Sequence, residues 1–367
     1  MRIHSRQFII GPKPVEVDES WSVMKLERNI YLSCCKNLPM SCTKDMEGES
    51  WYILGLAVQT APGRPDPVTE ISRSLTKKVC NLYGGWAGRW ILIGNGEIHM
   101  DATDLLGCYY LLEKNTKSTP VIWISSSPML LRNISTYRND MKTWGAIFYA
   151  GLNWYPLPLS RFEGIQKLLP SQIIRCADPK KMIIPRPLVP GIKELSDLTC
   201  EQKPKMLENR LVAAVQQAAR LYKTIWLPLT AGYDSRLFLA IVKESGVEAK
   251  AFTQKHIRIS GADKELPPCL AKEVGIKHFW IAEKGFSRRY LKTYDEHTGK
   301  HAMDRDRYLF SHKQWDGFRK DDLILRGGIF EVGRCCYWDR FHAYPIATPN
   351  EILDGLYGLY KGKNIPM

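Results

Sequence analysis

The residues best suited by type and spacing to do chemistry are Leu229, Thr230, Ala231, Gly232, Tyr233, Asp234, Ser235 and Arg236. They leave a short apolar run, Ile225-Trp226-Leu227-Pro228-Leu229, and open a stretch of helical character from about Ser235 to Ser245. That is a buried strand, a tight turn and a helix start. A helix N-terminus presents unpaired N–H groups and a partial positive charge, which favours a bound phosphate. Small residues let the backbone approach an anion, and Thr230 and Ser235 can donate hydroxyl hydrogen bonds to it. Asp234 would repel a bare phosphate, so an acid at this point calls for a cation. Mg²⁺ binds through one or two carboxylates plus phosphate oxygens. The turn is therefore expected to carry magnesium pyrophosphate. Taken alone, Asp234-Ser235 also reads as a simple helix cap. Arg236 can clamp a phosphate or carboxylate with its fork of donors, or can pair with a surface acid. There is no G-x-x-x-x-G-K-[ST] phosphate loop here.

The elements around this turn are those of a parallel sheet. From Glu201 to Tyr222 the apolar positions Leu207, Leu211, Ala214, Val215, Ala218 and Leu221 recur at helical spacing. After the strand at 225–229 and the helix at 235–245, Val247–Thr253 reads as a strand, Lys264–Val274 as a helix and Lys277–Ile281 as a strand. Such alternation implies crossover helices on a parallel sheet.

The preceding chain has a different character. Trp51–Val58 is a short buried run, and Trp86–Gly94 with Glu97–Asp101 forms a hairpin around Gly94-Asn95-Gly96. Gly107–Leu112 and Val121–Ser125 add strands, and one helix is expected near Val68–Tyr83. Prolines at 170, 179, 185, 187 and 190 then mark a boundary. The expected division is residues 1–190, an α+β layer structure, and residues 200–367, an α/β domain.

Thr230–Ser235 resembles the S-G-G-x-D-S pyrophosphate loop of the ATP-pyrophosphatase superfamily, and the asparagine synthetase group in particular. Two more segments are similar in order. Ala262-Asp-Lys-Glu265, then Leu270-Ala-Lys-Glu-Val-Gly275 and His278, resembles the helix after that family's second strand. Arg326-Gly-Gly-Ile-Phe-Glu331-Val-Gly-Arg334, after Leu323-Ile-Leu325, resembles its later Gly-rich loop with an acidic metal ligand. The resemblance covers about 200–340. It implies that Asp234 and Glu331 bind Mg²⁺ and that Thr230, Gly232 and Ser235 hold pyrophosphate oxygens. Leu229, Phe252, Thr253, Arg326, Gly327 and Gly328, with Ala231 and Tyr233, would complete the ATP site. Ala231 stands where glycine is usual in that family, and Arg236 where a hydroxyl is common.

In the first part, Gly84–Ile93, Asp101–Tyr110 and Ser125–Leu131 follow the order of the same family's glutamine-amidotransferase domain. The implied fold is an α+β sandwich of the N-terminal-nucleophile type, followed by an α/β adenine-nucleotide α-hydrolase-like domain. A working amidotransferase needs a cysteine at the mature N-terminus. The sequence opens Met1-Arg2-Ile3, so a degenerate domain without glutaminase activity is expected. The reaction implied is ATP-dependent conversion of a carboxylate to an acyl-adenylate, then amide formation with ammonia or another amine. Catalysis would fall to Asp234, Glu331 and Arg236, with ATP and Mg²⁺ as cofactors. Adenylation of a nucleobase or RNA, and a non-catalytic nucleotide-binding scaffold, are the rival readings. The tail can form a helix over Glu351–Tyr360 with an apolar stripe, and an open acyl-adenylate pocket is expected, able to admit a bulky partner or to be closed by another protein or subunit.

Composition bounds these readings. The 44% apolar content can fill two cores in 367 residues, and 25% charged residues without low-complexity tracts oppose disorder. The net charge of +14 favours anionic partners, but the basic residues are scattered, so nucleic acid is the lesser expectation. Ten cysteines without a C-x-x-C pair oppose a structural zinc site and suit a reducing cytoplasm. The opening residues, with only Phe8-Ile9-Ile10 as an apolar run, do not form a signal-peptide pattern, and no 18-residue apolar stretch suggests a membrane span. The histidines show no ligand spacing. His297 and His301 read as parts of a solvated loop beside Gly299.

Overall fold

The computed structural model describes residues 4–26, 30–113, 121–134, 139–149, 155, 157–176, 181–187, 197–282, 284–285, 287–300 and 313–326. Over these the chain divides into two compact units. One draws on Met1–Met141, Trp154–Gln217 and Ser287–Ser311, the other on Lys142–Asn153, Ala218–Phe286 and His312–Met367.

The first unit holds two antiparallel sheets. Strands β1 (Phe8–Gly11), β2 (Trp21–Lys25), β3 (Tyr31–Cys35), β8 (Tyr109–Glu113), β9 (Val121–Ser125) and β10 (Ile165–Lys167) lie in the order β10-β8-β9-β1-β3-β2. Strands β4 (Met40–Lys44), β5 (Ser50–Gln59), β6 (Trp86–Gly94), β7 (Glu97–Met100), β11 (Gln172–Arg175) and β12 (Ile183–Pro185) lie in the order β12-β11-β7-β6-β5-β4. Side chains alternate across a strand, and that period of two builds the layers. Phe8, Ile10, Leu32 and Ile124 of the first sheet meet Leu54, Ile91, Ile98 and Met100 of the second in one core. The opposite face of the second sheet buries Trp51, Trp90 and Leu92 under helices α1 (Pro67–Ser72) and α2 (Thr76–Val79). The opposite face of the first sheet buries Ile9, Tyr109 and Trp123 against Leu130 and Leu131 of α3 (Pro128–Ile134). The unit is thus layered helix, sheet, sheet, helix.

The β6–β7 hairpin forms as its Gly94-Asn95-Gly96 sequence predicts, with Asn95 and Gly96 both left-handed at φ 50° and 66°. The single helix expected near Val68–Tyr83 is instead α1, α2 and a 3₁₀ turn at Tyr83–Gly85. Asp66 caps α1 by accepting hydrogen bonds from the backbone N–H groups of Val68 and Thr69, with Pro67 in the first turn.

Helix α4 (Met141–Tyr149) follows, and α5 (Gln202–Leu221) occupies the segment whose periodicity predicts it. Its buried residues include Ala213, Val215 and Ala218, whereas Leu207 and Leu221 are exposed.

The second unit contains a parallel four-stranded sheet. Strands β13 (Thr224–Pro228), β14 (Ala249–Lys255), β15 (Lys277–Ala282) and β16 (Asp322–Ile324) lie in the order β15-β14-β13-β16. Helix α6 (Tyr233–Ser245) connects β13 to β14, and α7 (Gly261–Glu273) connects β14 to β15. Leu227, Leu229 and Ala251 pack on Leu239 of α6 and Ala271 of α7. Trp226, Phe252 and Phe279 point away from that core and form edge-to-face contacts among themselves and with Phe318.

Helix α8 (Arg288–Thr298) belongs to the first unit. It overturns the loop reading of His297. The helix ends at Gly299 in the left-handed region, where a Cβ would lie 2.5 Å from Pro128 Cγ. The Ser127 hydroxyl donates to the Glu296 carbonyl at 2.8 Å.

Candidate functional site

The site is built on β13. The chain runs from β13 through α6 and α7 to β14 and β15 on one side, then adds β16 on the other. In parallel α/β sheets the crevice outside the C-terminal strand ends, where the winding reverses, is the place ligands occupy. Two segments emerge at that reversal. Leu229–Arg236 follows β13, and Leu325-Arg326 follows β16, with the Leu325 N–H bonded to the Trp226 carbonyl at 2.9 Å.

Leu229 is fully buried, and its N–H donates to the Phe252 carbonyl at 2.8 Å, so the strand carries the turn to a defined height. The turn is held by its hydroxyls. Ser235 Oγ accepts from Thr230 N–H at 3.0 Å and lies 3.0 Å from Thr230 Oγ1. Its other contacts are the carbonyls of Thr230 at 2.9 Å and Gly232 at 3.1 Å. Gly232 N–H donates to Thr230 Oγ1 at 3.1 Å. Gly232 is also the N-cap of α6, and it has no side chain with which to occupy the helix N-terminus. A Cβ there would crowd Thr230 Oγ1 at 3.1 Å.

Asp234 sits in the first turn of α6 and is half-buried. Arg236 lays its guanidinium 4.5 Å from the centre of the Tyr233 ring, and Tyr233 is 72% exposed. Arg236 Nε is buried with no hydrogen-bond partner among the described residues. A stacked, oriented guanidinium of this kind keeps donors for a planar or tetrahedral anion.

Phe252 and Thr253 lie behind the turn and are buried. Phe252 joins the aromatic face of the sheet. The Thr253 hydroxyl donates to the Leu229 carbonyl at 2.7 Å and lies 2.8 Å from His278 Nε2, tying the end of β13 to β14 and β15. Burial pulls the His278 pKa down. Arg326 is exposed at the end of β16. Gly327, Gly328 and Glu331 lie outside the described residues, as does the segment 351–360.

The sequence places Asp263 in the Ala262–Glu265 segment but gives it no role at the turn. Its Oδ1 accepts the Ala231 N–H at 2.7 Å, which brings a second carboxylate to the turn. Asp263 is fixed by Ser260, the N-cap of α7. Ser260 Oγ accepts Asp263 N–H at 3.0 Å and donates to its Oδ2 at 2.8 Å. Its place at the helix start is legible as Ser260-x-x-Asp263, but its contact with Ala231 is not. Ile257, 96% exposed after β14, is a further apolar group at the same sheet edge.

No family model matches the chain, and no curated protein matches it. Among solved structures it is similar to the glutamine-dependent NAD+ synthetase from Acinetobacter baumannii in complex with adenosine diphosphate (ADP). The identity is 10%, the match covers 89% of this chain and 68% of that chain, and the TM-score is 0.26. A likeness of that degree assigns no activity, and the architecture stands on the chain's own pairing and packing. No helix among the described residues is long and apolar enough to cross a membrane.

Proposed function

We propose that the chain activates a carboxylate with ATP and then forms an amide. In the first step a carboxylate oxygen attacks the α-phosphorus of ATP, giving an acyl-adenylate and pyrophosphate. In the second, ammonia or another amine attacks the acyl carbon, giving the amide and AMP. The observation that carries this reading is the Thr230–Ser235 turn, which sits on the strand where the parallel sheet reverses and opens a 13-residue helix whose N-cap is a bare glycine. The donor set also fits the ligand. Hydroxyls of Thr230 and Ser235 and the N-terminus of α6 suit phosphate oxygens. The carboxylate of Asp234 would hold Mg²⁺, and Glu331 would join it by the family resemblance. Mg²⁺, when bound, supplies Lewis-acid stabilisation of the leaving pyrophosphate. Arg236, stacked on Tyr233, orients a phosphate or the substrate carboxylate.

The test is ATP–pyrophosphate exchange by the full chain over a panel of carboxylates, alongside calorimetry with Mg·ATP. Exchange dependent on one class of acid supports the reading. Mg·ATP binding without exchange on any acid would indicate a nucleotide-binding scaffold, and no binding at all would sink both.

A further inference from the structure

A second cluster of reactive side chains lies in the first unit, on the helix-covered face of its second sheet. Cys80 follows α2 as its C-cap. Glu97 and His99 are two apart on β7 and therefore share one face, while Ile98 and Met100 point into the core between the sheets. The three ligand atoms converge. Cys80 Sγ is 3.5 Å from His99 Nε2 and 4.0 Å from Glu97 Oε2, and His99 Nε2 is 3.3 Å from Glu97 Oε2. All three lie within 4.8 Å of one another.

Two of these separations are those of a tetrahedral zinc ion's ligands. Bonds of about 2.0–2.1 Å to nitrogen and oxygen and about 2.3 Å to sulfur put neighbouring ligand atoms about 3.3–3.6 Å apart. Two of the three separations already meet that range, and the third exceeds it by about half an ångström. A thiolate, an imidazole and a carboxylate form a donor set that zinc accepts.

The surroundings are also those of a ligand set rather than a chance contact. His99 is fully buried, and its other ring nitrogen, Nδ1, is 3.3 Å from the Tyr83 hydroxyl, which fixes the ring so that Nε2 faces the cluster. Glu97 Oε1 is held by Arg175 through Nε at 3.0 Å and Nη2 at 2.8 Å, leaving Oε2 turned towards Cys80 and His99. Arg186 lies over the Tyr83 ring, its guanidinium carbon 5.3 Å from the ring centre.

We propose that Cys80 Sγ, Glu97 Oε2 and His99 Nε2 bind a zinc ion, leaving its fourth position to a water molecule. The site draws on no residue of the turn at Thr230–Ser235 and requires no nucleotide.

The probe is zinc alone. The full chain, stripped with a chelator and dialysed, is titrated with zinc in competition with a chromophoric chelator. One equivalent per chain is expected, and Cys80→Ser and His99→Gln should each lower the affinity at least about 100-fold, a ligand mattering more than the second-shell contacts whose loss costs 10–100-fold. Cobalt in place of zinc should show the strong visible bands of a tetrahedral ion and a near-ultraviolet thiolate charge-transfer band that Cys80→Ser removes. Sub-stoichiometric zinc uptake, or uptake that both variants leave unchanged, would overturn the proposal. So would a wild-type cobalt spectrum without the thiolate band, a result that does not depend on either variant folding.

Discussion

At the scale of single residues, Asp234 is the decisive side chain of the proposed reaction. It is half-buried at the first turn of α6, where an acid is already compatible with the helix dipole. Asp234→Asn should therefore leave the thermal midpoint nearly unchanged while lowering ATP–pyrophosphate exchange by about 100-fold or more, the scale of losing a principal electrostatic group. An exchange rate within about threefold of wild type would remove the metal role from this residue. A second residue-scale prediction concerns His297. Its ring stacks on His4 with centroids 6.2 Å apart, and its Nε2 is buried without a hydrogen-bond partner among the described residues. Burial first, and the neighbouring His4 second, pull its pKa down from 6.5 to about 4. The unfolded chain then binds the extra proton first, so this contribution to stability is complete above pH 6.5 and is lost as the pH falls towards 4. The loss is at most on the order of 3 kcal/mol. Denaturant midpoints measured across that range should fall less steeply for His297→Gln than for wild type. Equal slopes would show that His297 titrates alike in both states.

At the scale of elements, the β5–β6 pair depends on Gly88. Its φ is +111°, and a Cβ there would lie 2.1 Å from the Leu56 carbonyl oxygen, a backbone atom that cannot swing aside. Gly88→Ala should destabilise the first unit by about 2–4 kcal/mol, combining a forbidden backbone conformation with overlap inside a strand pair. Chemical denaturation followed by tryptophan fluorescence would measure it, since Trp51, Trp86 and Trp90 lie in the same layer. A loss under about 0.5 kcal/mol would mean the strand slips to relieve the clash. In the second unit, Ser260 caps α7 and orients Asp263 onto the Ala231 N–H. Ser260→Ala should cost about 1 kcal/mol as a lost cap. If the Asp263–Ala231 contact shapes the turn, the same variant should also weaken Mg·ATP binding. Calorimetry showing unchanged nucleotide binding would confine Ser260 to helix capping.

At the scale of the whole molecule, the described residues are held by packing rather than by covalent staples. Cys34, Cys35, Cys42, Cys80, Cys108, Cys176, Cys200 and Cys269 are all unpaired. The first unit instead layers helix, sheet, sheet and helix over three apolar clusters, and the second packs helices on a parallel sheet. Reductant should thus leave the thermal midpoint where it is in buffer alone, whereas loss of one structural disulfide would typically remove about 2–4 kcal/mol. A clear fall in the midpoint on adding dithiothreitol would reveal a bond among residues outside those described. The net charge of +14 acts on encounter rather than fold, raising local concentrations of small anions at low salt.

What could be read from the sequence is what short-range physics writes there. The helix of α5, the alternation of β13, α6, β14, α7 and β15, and the β6–β7 hairpin all announce themselves through period and turn residues. The turn at Thr230–Ser235 is equally local, since seven consecutive residues from Leu229 make it. The edge strands β2 and β4 were illegible because each is only five residues long, leaves Val23 or Met40 exposed and shows no clean apolar alternation. Helix α8 was hidden by its charged sequence and the nearby glycine, although Gly299 is its cap. Asp263 reaches Ala231 across 32 positions, and Cys80 reaches His99 only because α2 packs on the face of β7 that carries Glu97 and His99. Tertiary structure alone decided those two meetings. A local pattern sets which way a side chain points, and only packing sets what it meets.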